Sequence, residues 1–93
     1  MIRIADGRVE VSGPMTMAGA AVLLAEGEAA IAADACAFDL AAVTDLDSSS
    51  LAVVFGWMRA ARDGGKVVKL LNPPQNLLSL AEVYGVSDLL PQP

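Results

Sequence analysis

Apolar and charged residues alternate in the segment IRIADGRVEV, which begins at residue 2. This period of two is typical of strands that bury one face. The pair Asp6-Gly7 divides the segment and is favoured in two-residue hairpin turns. The pattern predicts two antiparallel strands, at about residues 2–5 and 8–12, and Gly13-Pro14 then breaks the alternation.

A helical pattern follows, with Thr16 as a plausible N-cap and an end near Glu28. Gly27 indicates an end or a kink in this helix. Residues 29–36 allow either a further turn of helix or a loop, because alanine favours helix but the next segment looks extended. The positions predicted to be buried are Met17, Ala20, Ala21, Leu24 and Ala25.

The strongest helical pattern runs from Leu51 to Arg62 and ends at Asp63-Gly64-Gly65, where a glycine can take the left-handed conformation. Its core stripe is predicted to consist of Leu51, Val54, Phe55, Met58 and Ala61. A second, roughly opposite face carries Val53, Trp57 and Ala60. Because tryptophan is enriched at binding hot spots, Trp57 either fills a partner's pocket or packs beneath a neighbouring part of this domain.

The remaining elements are two apolar runs and a last helix. Residues 37–43 and 66–71 are predicted to be largely buried strands, and residues 75–84 to be a helix that Gly85 closes. The strand–helix–strand unit over residues 37–71 implies parallel pairing of its strands. The order β-β-α-β-α-β-α predicts one α/β domain over residues 1–93, with a small mixed four-stranded sheet and helices packed on it.

The composition argues against several classes of function. The formal net charge is −5 and the sequence shows no run of lysine or arginine, which argues against nucleic acid as a partner. With no histidine and one cysteine, the common catalytic dyads and zinc sites are missing, so the sequence predicts no enzyme, no metal and no cofactor. The lone Cys36 and the lack of a signal or membrane-spanning segment predict a cytoplasmic protein that does not insert into a membrane.

Two groups of residues resemble ligand-binding motifs but are explained better by structural roles. Gly64-Gly65-Lys66 lacks the earlier glycine and the following Ser or Thr of a phosphate-binding loop, so a helix end is the better interpretation. Asp39, Asp45 and Asp47 could be imagined as an acidic metal site, but turn carboxylates, with Asp47 capping a helix, explain them more simply.

The stretch Asp47-Ser48-Ser49-Ser50 has more capping residues than one helix start needs. The excess is expected to lie exposed at the positive end of the helix dipole. Such a place suits a phosphoserine or the hydrogen-bonding groups of a partner. From the chemistry alone, capping and recognition both remain open.

The run from Val43 to Pro91 resembles the second half of a STAS domain, the fold of anti-sigma-factor antagonists. Asp47-Ser48-Ser49-Ser50-Leu51 is similar to that family's Asp-Ser-Ser/Thr-Gly-Leu helix start, with Ser50 in place of the glycine and an added side chain beside the site. The stretch from Leu77 to Val86 is similar to the last helix of MlaB-like proteins, the small STAS subunits of the Mla phospholipid-transport ABC system.

The resemblance implies a non-catalytic accessory subunit that binds the ATPase of a phospholipid-transport ABC complex and is associated with the inner-membrane transporter. Its partner-binding residues are predicted to be Asp47, Ser48, Ser49, Ser50, Val53 and Trp57. In the transporter branch the functional hydroxyl falls on Ser48. The alternative is an anti-sigma-factor antagonist or stress-signalling switch, in which a serine kinase would phosphorylate Ser49.

Overall fold

The computed structural model describes residues 1–91, which begin with a hairpin. Strand β1 (Ile2–Ala5) pairs antiparallel with strand β2 (Arg8–Met15). Between them Asp6 and Gly7 have φ values of 54° and 74°, and positive φ at both central residues is what a type I′ hairpin turn requires. The predicted hairpin is confirmed.

Strand β2 is longer than its alternation predicts. It continues through Gly13 and Pro14 to Met15, with register shifts on both sides of the pair Ser12 and Gly13. Gly13 has a φ of +80°, and the irregular pairing tolerates the proline that a regular central strand would exclude. Gly13 and Pro14 therefore make the pairing of β2 with β3 irregular, at the place where the sequence predicted that the strand would end.

Helix α1 (Ala20–Ala32) starts later and ends later than predicted, after a short 3-10 helix over Met17–Gly19. Thr16 precedes the 3-10 helix and makes no side-chain capping bond. The residues that α1 buries are Leu23, Gly27, Ala30 and Ile31. The predicted buried face was wrong for Met17, Ala21 and Ala25, which are exposed, whereas Ala20 and Leu24 are partly buried against the core. Alanine on every face gives little contrast, so the sequence could not fix the rotation of the helix.

Strand β3 (Ala37–Leu46), helix α2 (Ser49–Asp63), strand β4 (Lys69–Leu71) and helix α3 (Gln75–Val83) complete the main elements, and a 3-10 turn follows at Ser87–Leu89. The sheet order is β1-β2-β3-β4, with β2 parallel to β3 and β3 parallel to β4. The predicted mixed four-stranded sheet and the parallel strand–helix–strand unit are confirmed.

Two strands are less buried than their apolar sequences predicted. Within β3, Phe38 and Leu40 are buried while Ala41 and Ala42 are exposed. Strand β4 has only three residues and lies at the edge of the sheet, where Val67 just before it is 78 % exposed. Only one face of this sheet is covered by helices, so an apolar run here does not mean burial on both sides.

The hydrophobic core lies between the helices and this covered face. It contains Val9 and Val11 of β2, Phe38 and Leu40 of β3, and Trp57 of α2. The outer face carries ion pairs instead, with Arg3 bonded to Glu10 and Arg8 3.4 Å from Asp39. None of the helices within residues 1–91 is long and apolar enough to cross a membrane.

Candidate functional site

The carboxylate of Asp47 joins the starts of two helical segments. Its Oδ1 accepts a hydrogen bond of 2.9 Å from the amide of Ser49, the first residue of α2. Its Oδ2 accepts a bond of 3.1 Å from the amide of Met17, which opens the 3-10 helix before α1. One side chain therefore satisfies free amides of two segments far apart in sequence.

These two amides lower the pKa of the Asp47 carboxyl below its ordinary value, since both donate to the charged form. The amide of Met17 is the larger cause and the amide of Ser49 the second. The carboxylate stays ionised beside the positive end of the α2 dipole, where negative charge is favourable. The interpretation of Asp47 as a helix-capping residue is confirmed.

The three serines that follow are placed differently. Ser48 is exposed and makes no side-chain capping bond, and Ser49 is half-buried. Ser50 is fully buried, and its Oγ donates a 2.7 Å hydrogen bond to the carbonyl of Asp47. The expectation that Ser50 adds a side chain to a partner-binding surface is wrong, because that side chain turns inward and its hydroxyl has a partner within the chain.

Val53 and Trp57 are also not available to a partner. Val53 is 3 % exposed and Trp57 is 0 % exposed. The indole stacks on Phe38 of β3 with ring centroids 4.3 Å apart, and its Nε1 donates a 3.2 Å hydrogen bond to the carbonyl of Leu23 in α1. Of the two alternatives for Trp57, packing within the domain holds, because α1 covers the face of α2 that looked free.

Glycines make this close approach of α1 and α2 possible. A Cβ at Gly27 would lie 2.0 Å from Nε1 of Trp57, a distance that no real Cβ contact shows. On the other helix, a Cβ at Gly56 would lie 2.5 Å from Cδ1 of Leu24. Gly27 was predicted to end or kink α1, but it lies inside this helix. Its lack of a side chain lets the indole of Trp57 pack directly against the helix backbone.

Met17 is the residue that sequence reasoning missed. It was predicted to be buried, but it is 75 % exposed and its amide is bonded to Asp47. The only signal in the sequence is Gly19, which weakens a regular helix there and permits the 3-10 turn. We call Met17, Asp47, Ser48 and Ser49 together the α2-start site.

The other carboxylates singled out in the sequence have separate partners. Asp39 accepts hydrogen bonds from the amide of Ala41 and the side chain of Asn72, and it also faces Arg8. These contacts, with the Ala41 amide first, lower the pKa of Asp39. Asp45 accepts a bond from the amide of Leu46. Asp39 and Asp45 therefore each accept hydrogen bonds from nearby groups of the chain, and their partners are different.

The glycine–lysine motif ends a helix and ties two elements together. Gly64 follows α2 and Gly65 has a φ of +72°, as a left-handed helix end requires. Nζ of Lys66 donates a 2.7 Å bond to the carbonyl of Ile31 and lies 2.8 Å from Oδ1 of Asp34. The lysine thus pairs with the C-terminal end of α1, where a positive charge is favourable.

Solved structures with the same arrangement define the class of fold. The unphosphorylated anti-sigma factor antagonist SpoIIAA superposes with a TM-score of 0.66 and 18 % identity, over 88 % of this chain and 80 % of that one. A protein of Thermotoga maritima, solved as a candidate anti-sigma factor antagonist, gives a TM-score of 0.61 and 17 % identity, over 92 % of this chain and 80 % of that one. The fold is that of the STAS domain.

The sequence comparisons identify the family within this fold. The family model described as "Mlab, STAS domain" matches residues 2–91, and the chain belongs to that family. MlaB of Haemophilus influenzae, named as the binding protein of an intermembrane phospholipid transport system, is 33 % identical over 51 residues. This match covers 55 % of the chain and 49 % of the relative, so it spans about half the length of that protein.

Proposed function

We propose that this chain is a non-catalytic accessory subunit that binds the ATPase of a phospholipid-transport ABC complex through the α2-start site. The observation that carries the proposal is the open start of α2, where Ser48 is exposed and Asp47 holds the first turn in place. Membership of the MlaB family and the name of the Haemophilus influenzae relative support the choice of a transport complex as the partner. Bound to such a transporter, the chain would act at the cytoplasmic side of the inner membrane.

The physical basis of recognition would be a small polar site with one apolar neighbour. Ser48 would offer a hydroxyl that both donates and accepts. Asp47, already holding two amides, would add a fixed negative charge for a donor on the ATPase. Met17 would add a flexible apolar contact, since it is exposed beside these groups. Specificity would come from the polar groups and affinity from covering the methionine.

The test is co-purification with the ATPase of a phospholipid-transport ABC complex from the same organism, using Ser48→Arg. A long cationic side chain on an exposed position should leave the fold intact and block close approach, lowering affinity by about tenfold or more. Ser79→Arg is the matched control, because Ser79 is an exposed serine on α3, away from the α2 start. Trp57→Ala would not be informative, since it removes the centre of the core.

Each outcome decides one part of the proposal. Loss of the complex with Ser48→Arg but not with Ser79→Arg supports the site. Retention with both variants overturns the site, and failure of the unmodified chain to bind overturns the ATPase as partner. Measuring the mass of the chain purified from its own cells tests the signalling alternative, which expects one phosphate on Ser49.

A further inference from the structure

The basic residues of this acidic chain are gathered mainly in one place. The chain has six lysines and arginines in total and a formal net charge of −5. Arg59, Arg62, Lys66 and Lys69 all line one groove beside the C-terminal half of α2. The sequence shows no basic cluster because Arg59 and Arg62 lie on α2, Lys66 lies in the segment after it, and Lys69 is the first residue of β4. The fold brings them together.

The groove itself has an apolar lining. Phe55 and Met58 of α2 form one wall, and Val68 and Leu89 contribute from the approach to β4 and the C-terminal 3-10 turn. Leu89 is 59 % exposed and Phe55 and Met58 are only partly buried. The volume is about 750 Å³, within the range of small-molecule sites. Within residues 1–91, no aspartate or glutamate is among the residues that line it.

Most of the cations around the groove take part in no ion pair within residues 1–91. Among the residues that the structure describes, ion pairs involve Arg3, Arg8 and Lys66. Arg59, Arg62 and Lys69 are in none of these pairs, and all three are exposed. An apolar groove edged by unpaired cations is complementary to a molecule with an apolar body and an anionic end.

We propose that this groove binds a single-chain anionic amphiphile, with its alkyl chain along Phe55 and Met58 and its phosphate or carboxylate at Arg59 and Arg62. Arginine suits such a head group because its planar fork donates two parallel hydrogen bonds. An acidic amphipathic helix of a protein would satisfy the same charges. The volume of about 750 Å³ favours the small molecule, because it lies within the range of small-molecule sites, whereas a helix has a diameter of about 10 Å or more.

The groove lies at the opposite end of α2 from the α2-start site. Arg62 lies thirteen positions after Ser49, a distance of about 20 Å along a helix. The inference therefore does not rest on the proposed ATPase contact. Ser48→Arg should leave amphiphile binding unchanged, and a groove variant should leave the ATPase contact unchanged, so the two proposals fail separately.

The experiment is a titration of the isotope-labelled chain with dodecyl phosphate below its critical micelle concentration, followed by amide chemical shifts. We expect saturable shifts confined to α2 from Phe55 onward, to residues 66–69 and to the 3-10 turn that carries Leu89. Dodecyl maltoside has the same chain with a neutral head group and should bind at least tenfold more weakly. Inorganic phosphate, which lacks the chain, should give no saturable shift in the same concentration range.

Two variants test the two halves of the groove. Arg59→Gln with Arg62→Gln should weaken dodecyl phosphate at least tenfold, whereas the control Arg3→Gln with Arg8→Gln changes the net charge equally and should stay within about twofold. Val67→Asp places a carboxylate at an exposed position of the lining, so it should abolish binding without unfolding the chain.

Several results would overturn the proposal. If dodecyl maltoside bound as tightly as dodecyl phosphate, the groove would not distinguish an anionic head group from a neutral one. Equal weakening by the control pair would show a general effect of net charge. Saturable binding of an acidic amphipathic peptide in the groove, with no binding of dodecyl phosphate, would assign it to a protein partner.

Discussion

At the scale of single residues, Gly27 and Trp57 control how closely α1 and α2 approach. The indole is fully buried between Phe38 and the backbone of α1. It occupies the space that a side chain at Gly27 would need. A helix-interior glycine, which usually costs stability, is therefore required here for packing.

Gly27→Ala should lower the free energy of unfolding by about 1–3 kcal/mol, because overpacking against Trp57 outweighs the gain in helix propensity. The measurement is urea unfolding followed by circular dichroism. Gly19→Ala is the matched control, since its φ is −110° and a Cβ there meets nothing within 4 Å. Its effect should stay within about 0.5 kcal/mol. Equal loss in both variants would contradict the role given to Gly27.

At the scale of elements, Asp47 couples the start of α2 to the 3-10 helix that leads into α1. The same contact positions Met17 beside Ser48, so it organises the α2-start site as well as the fold. Its contribution should depend on pH. The pKa of Asp47 is lowered in the folded chain from 3.8, so the unfolded chain takes up a proton more readily as the solution becomes acid.

Asp47→Asn should therefore destabilise the chain near neutral pH, and the difference from the unmodified chain should shrink as the pH falls below 3.8. The stabilisation is present above the unfolded pKa and is lost as the pH falls through the lower, folded pKa. Urea midpoints measured across this range provide the check. Asp6→Asn is the control, because asparagine is also tolerated at the positive φ of the hairpin turn. A difference that is independent of pH would contradict the role of the carboxylate charge.

At the scale of the whole molecule, one core joins α1, α2 and α3 to the sheet. Trp57 contacts β3 through Phe38 and α1 through Leu23, while Lys66 fixes the end of α1 to the segment before β4. If one element separated from this core, the elements packed against it would lose the contacts that hold them in place. This arrangement is typical of small domains that unfold in a single step.

We expect the fluorescence of Trp57 and the helical circular-dichroism signal to change at the same urea concentration, with an m value of about 1–3 kcal/mol per molar. The indole reports burial at the centre of the core, and circular dichroism reports all three helices. Exciting the indole selectively leaves out Tyr84, which is 58 % exposed and would report the surface. A fluorescence midpoint below the circular-dichroism midpoint would show that the core around Trp57 opens before the helices unfold, and it would contradict unfolding in a single step.

Local chemistry accounts for the parts of the fold and the site that the sequence predicted. The turn at Asp6-Gly7 and the end of α2 at Gly64-Gly65 follow from backbone conformations that few residues adopt. The capping of α2 by Asp47 and the exposure of Ser48 follow from the need of a helix start for acceptors. These features depend on residues within a few positions of one another.

Tertiary contact decided the rest, because burial depends on which element lies opposite. The sequence alone could not choose between the two roles of Trp57, since α1 has almost no apolar contrast and its contact face was predicted at the wrong angle. The same packing turned Ser50 inward and brought Met17 to Asp47. It also gathered Arg59, Arg62, Lys66 and Lys69 around one groove, although no stretch of the sequence is basic.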